Sequence, residues 1–193
     1  GIDLHWMVHS HGAIEIARVV KRCHPQAKVV LGGFSASYFY KELFQYPEID
    51  YVLRGDSAEE PLRQLVDCII NGREPEAVPN LAWRDSQGGI RENPFSCVPD
   101  HLNNVMTNYY GNVIHSVIRY RDLASYIPFK DWLRYPITAV ITRRGCTENC
   151  VICGGSAATS RQFYNRGKPV VRSPEAVAQD VKHIGHFSNG PIF

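Results

Sequence analysis

Three short apolar runs in the first half of the chain alternate with amphipathic stretches. The runs are IDLHWMV from Ile2 to Val8, KVVLGG ending at Gly33, and IDYVLRG ending at Gly55. Apolar runs of this length are typical of strands covered on both faces, and the stretches between them have the spacing of helices. Strands and helices that alternate with short connections predict a doubly wound parallel α/β sheet of the Rossmann-like kind.

The helices are predicted from their caps and apolar stripes. Ser10, Ser35 and Ser57 precede helical patterns and are the predicted caps, Ser57 together with Glu60 in a capping box. The stripe of the first helix, which we expect to be buried, consists of Ile16, Val19, Val20 and Cys23. That of the third consists of Leu62, Leu65, Val66 and Ile69, with Cys68 beside it. Cys23 and Cys68 are therefore predicted to be packing residues.

The ends of the three strands are the predicted place for a ligand. In open parallel sheets, ligands bind outside the carboxyl ends of the strands. Here those ends are the segments 9–12, 32–35 and 55–57.

The pattern changes after residue 72. A hairpin is predicted that turns at residues 86–89, followed by an irregular aromatic segment that includes Tyr109. ITAVITRRG then predicts a strand, and Ser173 before Pro174 predicts a capped helix lined by Val177, Val181 and Ile184. The predicted organisation is a first domain at 1–72, a hairpin and connector at 73–137, and the opening strand and helix of a second α/β domain at 138–193.

Composition and charge exclude few functions. The net charge of +2 gives no strong signal for nucleic acid. No apolar run is long enough to span a bilayer, and no secretory leader pattern stands at the start. We therefore expect a cytoplasmic protein with reduced thiols and no membrane partner. The chain starts and stops within apolar runs, which suggests an excerpt of a longer polypeptide.

Three of the six cysteines lie in RRGCTENCVICGGS as Cys146, Cys150 and Cys153. This spacing allows three thiolates to converge on one centre, and the flanking glycines permit tight turns. Structural zinc favours four ligands in two separated pairs, and an all-cysteine four-iron cluster normally takes four thiolates. With three local ligands, one metal position is left open for chemistry.

The run GCTENCVIC after the strand ITAVITR resembles the signature of radical S-adenosylmethionine enzymes. The resemblance implies that Cys146, Cys150 and Cys153 hold a [4Fe-4S] cluster whose fourth iron binds S-adenosylmethionine. Ile152 takes a position that is usually aromatic and lies near the adenine. The resemblance further implies a (β/α) barrel, of which this chain holds the first βα unit. It also implies an external electron donor and an unknown substrate.

The run VVLGGFSASYFYKELFQYPEIDYVLRGDSAEEPL resembles the C-terminal half of the cobalamin-binding domain that precedes the radical domain in one subgroup. The resemblance implies that backbone at Gly32, Gly33 and Gly55 approaches cobalamin, with Ser10 and Ser35 as weaker candidates. The motif D-x-H-x-x-G, which supplies a cobalt ligand in some relatives, is absent, since Val8 stands where glycine is required. Cobalamin-dependent methyl transfer is thus one hypothesis.

Two alternatives stay open at this stage. One is a radical enzyme without cobalamin, and the other is a zinc-stabilised interaction protein without enzymatic activity. His5, His9 and His11 are expected to be packed or solvated side chains, and the basic residues Arg161, Arg166, Lys168 and Arg172 are expected to lie in a solvated loop. As an excerpt, the segment alone is expected to be inactive and poorly soluble.

Overall fold

The computed structural model of the chain describes residues 1–103 and 110–193. These form two compact units, one made of Gly1–Pro99 with Gly145–Pro169 and the other of Asp100–Arg144 with Val170–Phe193. The domain boundaries proposed from sequence stay a prediction. Tyr109 of the aromatic segment lies outside the described residues.

The first unit contains a five-stranded sheet in the order β1-β2-β3-β4-β5. Its strands are β1 (Ile2–Asp3), β2 (Val30–Gly32), β3 (Tyr51–Leu53), β4 (Leu81–Arg84) and β5 (Ile90–Glu92). The first three strands are parallel, as predicted. The predicted hairpin forms as β4 and β5 and also pairs antiparallel with β3. The sheet is therefore mixed.

Helices of the first unit cover both faces of this sheet. They are α1 (Ser10–Cys23), α2 (Phe34–Tyr38), α3 (Tyr40–Leu43) and α4 (Glu59–Ile70). The unit also contains α6 (Ala157–Tyr164), which follows the cysteine loop. Residues of α1, α2 and α3 pack with Val52 on one face. Leu65 of α4 packs with Leu53 and Trp83 on the other face. Helices on both faces confirm the prediction of a doubly wound, Rossmann-like fold.

The buried face of α1 differs from the predicted one. Its buried residues are Ala13, Ile14 and Ala17, whereas Ile16 is 54% exposed and Cys23 is exposed as well. Of the predicted stripe, Val20 packs against the core, while Ile16, Val19 and Cys23 are exposed. The two alanines let the helix backbone approach the sheet closely, which favours a buried face at Ala13, Ile14 and Ala17. In α4, Leu65 is fully buried while Leu62 and Val66 are exposed; Cys68 packs against the core as predicted.

The predicted serine caps in the first unit are also wrong. Ser10 is the first helical residue of α1, and the capping positions of α1, α2 and α4 are held by His9, Gly33 and Ala58, without a side-chain cap. The first predicted strand is shorter than IDLHWMV, because Met7–His9 forms a 3₁₀ turn that leads into α1. Sequence spacing indicated the helices but misplaced these caps by one or two residues.

The second unit contains α5 (Tyr110–Tyr120), a 3₁₀ turn at Ala124–Tyr126, β6 (Arg143–Arg144), β7 (Val170–Val171) and α7 (Pro174–Gly185). The cap of α7 is confirmed, since Ser173 Oγ accepts a hydrogen bond from Ala176 N. Of ITAVITRRG, β6 pairs antiparallel with β7, and Thr138 forms a parallel bridge with Ile192. The bridge joins the two segments on either side of α7, as a βαβ unit requires. Among the residues described, no helix has the length and apolar character needed to cross a membrane.

Candidate functional site

The turns after β2 and β3 require glycine. Gly33 has a φ of +101°, and a Cβ there would lie 2.5 Å from Asp3 Oδ1 and 2.7 Å from Leu4 C. Gly55 has a φ of +103°, and its Cβ would meet the ring of Phe95 at 2.8 Å. Packing within the chain therefore accounts for both glycines. Their predicted approach to a ligand stays a prediction, as does that of Gly32, where a Cβ would have ordinary contacts.

Ser37 joins these two turns, and sequence reasoning did not identify it. Its buried hydroxyl donates to Gly33 O at 2.8 Å and accepts from Gly55 N at 2.8 Å. Ser35, which was predicted as a binding residue, donates instead to His5 O at 3.0 Å. Ser37 lies within a predicted helix, so its pattern alone gave no sign that it would serve two neighbouring turns.

Exposed apolar side chains follow β1 at the same edge. Trp6, Met7 and Val8 are 66%, 51% and 85% exposed, and the His5 ring contacts Trp6 edge-on and Phe34 at a tilt. Exposed apolar groups beside the ends of three parallel strands make this edge a candidate ligand-binding surface. This edge of the sheet, formed by the turns after β1, β2 and β3, is called the carboxyl edge below.

The cysteine loop lies between β6 and α6. It begins at Gly145, whose φ is +87°, and contains two successive turns, in which Cys153 N donates to Cys150 O and Ser156 N donates to Cys153 O. Cys150 and Cys153 are exposed, and Cys146 is half-buried. All three are free thiols.

The donor chemistry of the loop fits an iron-sulfur cluster. Glu148 N lies 3.3 Å from Cys146 Sγ in a hydrogen bond of the kind that stabilises a thiolate ligand. In residues 1–103 and 110–193, no three His, Cys, Asp or Glu side chains are gathered in a metal-binding geometry. Thiolates repel one another and converge when a metal supplies positive charge, so such loops are commonly completed by the metal. The three ligands proposed from sequence stay a prediction.

The helix after the cysteine loop, α6, packs on the carboxyl edge. Ser156 caps it by accepting a hydrogen bond from Thr159 N. Tyr164 stacks on Phe34 with ring centroids 4.8 Å apart, and Phe163 packs on Tyr38 at 4.3 Å. Burial, with the negative charge of Asp56, raises the pKa of Tyr164 to about 12. Aromatic packing therefore holds the loop's exit helix against the edge where a ligand is expected.

A buried ion pair completes this attachment. The side chains of Arg166 and Asp56 are 2% and 7% exposed, and both Nε and Nη2 of Arg166 donate to the carboxylate. The expectation of a solvated basic loop is wrong for Arg166 and for Arg172, which pairs in the second unit with buried Asp180. It holds for Lys168, whereas Arg161 is exposed as expected but lies in helix α6 and not in a loop. A guanidinium can be buried where its planar fork matches a carboxylate.

Ile152 is fully exposed at the tip of the cysteine loop. Its predicted contact with an adenine stays a prediction, and so does a binding role for Ser10 at the start of α1. His9 and His11 are exposed, in keeping with the expectation that they are solvated. Of the predicted residues, the structure thus brings the glycine turns and the exit of the cysteine loop together in one unit.

No family model matches the chain. It is 28% identical to an uncharacterised methyltransferase of Pyrococcus horikoshii, over 93% of this chain and 35% of that protein. It is 24% identical to the hopanoid C-3 methylase of Methylococcus capsulatus, over 94% of this chain and 31% of the methylase. The chain thus spans about a third of the length of these relatives.

Two solved structures share the fold. One is TsrM from Kitasatospora setae, a radical S-adenosylmethionine methyltransferase with its tryptophan substrate and an analogue of S-adenosylmethionine bound. It has a TM-score of 0.62 and 19% identity, over 91% of this chain and 31% of TsrM. The other is OxsB, a cobalamin-dependent radical enzyme with aqua-cobalamin and S-adenosylmethionine bound. Its TM-score is 0.66 with 15% identity, over 98% of this chain and 24% of OxsB. The chain therefore has the α/β fold of the corresponding parts of these enzymes.

Proposed function

We propose that this chain is part of a cobalamin-dependent radical S-adenosylmethionine methyltransferase. The observation that carries the proposal is the attachment of the cysteine loop to the carboxyl edge of the sheet. The Tyr164 and Phe34 rings, 4.8 Å apart, and the Arg166 and Asp56 pair join the two in one compact unit. The similarity to methyltransferases and to TsrM and OxsB supports it.

In this proposal the cysteine loop is the metal-binding element. Cys146, Cys150 and Cys153 hold a [4Fe-4S] cluster, and the backbone amide of Glu148 stabilises the first thiolate. The exposed Ile152 offers an apolar surface to the adenosyl group of S-adenosylmethionine. Three protein ligands leave one coordination position for that molecule.

The carboxyl edge is the proposed cobalamin-binding surface. Gly33 and Gly55 form its turns without side chains, and the Ser37 hydroxyl joins the two turns by hydrogen bonds. Trp6 and Met7 present apolar area to a corrin ring. No described histidine is required as a cobalt ligand, in agreement with the missing D-x-H-x-x-G motif.

When bound, these cofactors supply one-electron cleavage of S-adenosylmethionine and a carrier for its methyl group. The chain's own residues bind and orient the two cofactors. An external electron donor and a substrate are further proposed partners, and the cytoplasm, where thiols stay reduced, is the proposed location.

The first experiment tests the cluster. Full-length protein is reconstituted anaerobically with iron and sulfide, and electron paramagnetic resonance is recorded on the reduced cluster with and without S-adenosylmethionine. We expect about four irons per chain, as an all-cysteine four-iron cluster holds, and a spectrum that changes on addition of the ligand. One zinc ion with no iron uptake would instead establish the zinc-stabilised protein.

Variants identify the ligands in this experiment. Cys150→Ala is expected to lose most of the iron, whereas Cys23→Ala, which removes an exposed thiol of α1, keeps the wild-type iron content. Equal iron content in the two variants would show that Cys150 does not bind the cluster.

The second experiment tests cobalamin. Hydroxocobalamin is added to the reduced full-length protein, unbound corrin is removed, and the bound fraction is measured by visible absorption. We expect one corrin per chain, with at least tenfold weaker binding for Trp6→Ala because the exposed ring is its main apolar contact surface. Iron uptake without any corrin uptake would establish the radical enzyme that works without cobalamin.

A further inference from the structure

Arg166 contacts both the cysteine loop and the sheet. Its Nε and Nη2 donate to the carboxylate of Asp56, and Nη2 also lies 3.1 Å from Ser57 Oγ. Its Nη1 donates to Pro99 O at 3.1 Å. All three nitrogens of the guanidinium therefore have hydrogen-bond partners in the first unit. Two of the partner residues, Asp56 and Ser57, directly follow the turn at Gly55.

The aliphatic part of Arg166 lies against the entrance of the cysteine loop. A Cβ on Gly145 would be 2.9 Å from Arg166 Cδ and 3.0 Å from Pro169 Cα. Gly145 directly precedes Cys146, so no larger residue fits between the first cysteine and the arginine without displacing one of them. One side chain thus touches the start of the loop and the turn after β3.

The chemistry of the pair makes this contact specific. A buried charge that loses its partner is strongly destabilising, so Arg166 and Asp56 stay together or both become exposed to water. Two parallel hydrogen bonds also fix the orientation of the guanidinium, which a lysine ammonium cannot reproduce.

We propose that Arg166 is a positioning residue that sets the distance between the cluster-binding loop and the carboxyl edge. The proposal rests on the proposed function for the identity of the two ligands, but the attachment itself concerns this chain's own residues. Transfer between two cofactors depends on their separation, and a displacement of about 1 Å can cost two orders of magnitude in rate. Arg166 acts through the loop and contacts neither cofactor in this proposal.

The first test uses full-length protein without cofactors. Amide hydrogen exchange is followed in residues 145–165 of wild type, Arg166→Met and Arg166→Lys. We expect exchange about tenfold or more faster in both variants, because local opening no longer has to break the buried pair. Unchanged exchange in Arg166→Met would overturn the proposal.

The matched control is Arg172→Met. Arg172 and Asp180 form an equally buried pair, with side chains 2% and 6% exposed, in the other unit. Its loss is expected to leave exchange in residues 145–165 within about twofold of wild type. The same acceleration in both variants would mean general destabilisation and would contradict a specific role for Arg166.

The second test measures the distance itself. Full-length protein is loaded with cob(II)alamin and the cluster is reduced, and pulsed electron paramagnetic resonance reports the relaxation enhancement of the cobalt spin by the cluster. In Arg166→Met with both cofactors at wild-type stoichiometry, we expect this enhancement to change at least twofold; in Arg172→Met it stays unchanged. An unaltered enhancement in Arg166→Met would refute the proposal.

The two tests separate the inference from the proposed function. A wild-type protein that takes up neither cofactor would refute the proposed function, while the exchange measurement would still decide whether Arg166 holds the loop. For a variant that folds but does not bind its cofactors, amide hydrogen exchange likewise decides whether Arg166 holds the loop.

Discussion

The absence of a Cβ at Gly33 allows the turn after β2 to form. The positive φ of Gly33 and the short distances to Asp3 and Leu4 place the turn after β2 directly against β1. Any L side chain there has both an unfavourable backbone conformation and a steric clash.

Gly33→Ala is therefore expected to lower the free energy of unfolding by at least about 2 kcal/mol. Gly12→Ala is the matched control, since a Cβ at Gly12 in α1 has nothing within 4 Å. Alanine at that helical position is expected to raise stability by about 0.5 to 1 kcal/mol. Urea denaturation of the two variants checks both values, and equal effects would contradict the argument.

Tyr164 gives the first unit a dependence on alkaline pH. Its pKa is raised from 10.0 to about 12, chiefly by burial. Below pH 10 the hydroxyl is neutral in the folded and the unfolded chain, and its contribution is fully present. As the pH rises from 10 through 12, the unfolded chain ionises first, so stability falls by about 2 to 3 kcal/mol.

Tyr164→Phe removes this ionisation while keeping the stacked ring. The stability difference between wild type and variant, measured by urea denaturation at several pH values, is expected to be constant up to pH 10. Above that value it should shift in favour of the variant. A difference that stays flat to pH 12 would show that Tyr164 does not titrate in this way.

At this scale, the sequence predicted the turns at Gly33 and Gly55, whose binding role stays a prediction, and it predicted the environment of Arg166 and Arg172 wrongly. Glycine pairs after apolar runs indicate turns through local geometry alone. Arg166 and Asp56 are distant in sequence, and only folding brings them together. Ser37 was missed for the same reason.

The hairpin of β4 and β5 was predicted, but its pairing with β3 in the sheet was not. A polar network around Asn93 anchors it: the side-chain amide donates to Pro75 O and Val78 O and accepts from Trp83 Nε1. Asn80, fully buried with a φ of +60°, exchanges two hydrogen bonds with the backbone of Cys97. These two side chains provide hydrogen-bond partners for backbone groups that lie outside regular secondary structure.

Asn93→Ala is expected to cost about 2 to 4 kcal/mol, because it leaves the buried Val78 carbonyl and the Trp83 indole N–H without this partner. It also removes one of the two hydrogen bonds that Pro75 O accepts. Asn112→Ala, on the exposed side of α5, is the comparison and should change stability by less than about 0.5 kcal/mol. Thermal unfolding of both variants measures the effect. A loss below 1 kcal/mol for Asn93→Ala would mean that water replaces the missing amide.

Helix existence was predicted more reliably than helix orientation. The stripe of α1 pointed to Ile16 and Val19, yet Ala13 and Ala17 face the sheet. Hydrophobicity scales favour the larger side chains, whereas close packing of a helix on a sheet favours small ones. Ser173 with Pro174 was predicted correctly because both signals lie within a single turn.

The whole chain consists of two units, each with its own buried ion pair. Asp180→Asn removes the charge partner of Arg172 in the second unit and is expected to lower the stability of that unit by about 3 kcal/mol. Hydrogen exchange should therefore accelerate in residues 110–144 and 170–193, while the sheet core at Leu31 and Val52 keeps its protection. Equal acceleration in the sheet core would show that the chain unfolds as one cooperative unit.

All three residues of β5, Ile90–Glu92, are exposed, and two of them are charged. This matters when the chain is shortened for expression. These residues form the outer border of the sheet, and their charges discourage pairing with strands of other molecules. Cutting out residues 81–93 would uncover β3, whose three residues are all buried. The shortened chain would then carry an unprotected apolar border and be prone to intermolecular β-aggregation and fibril growth.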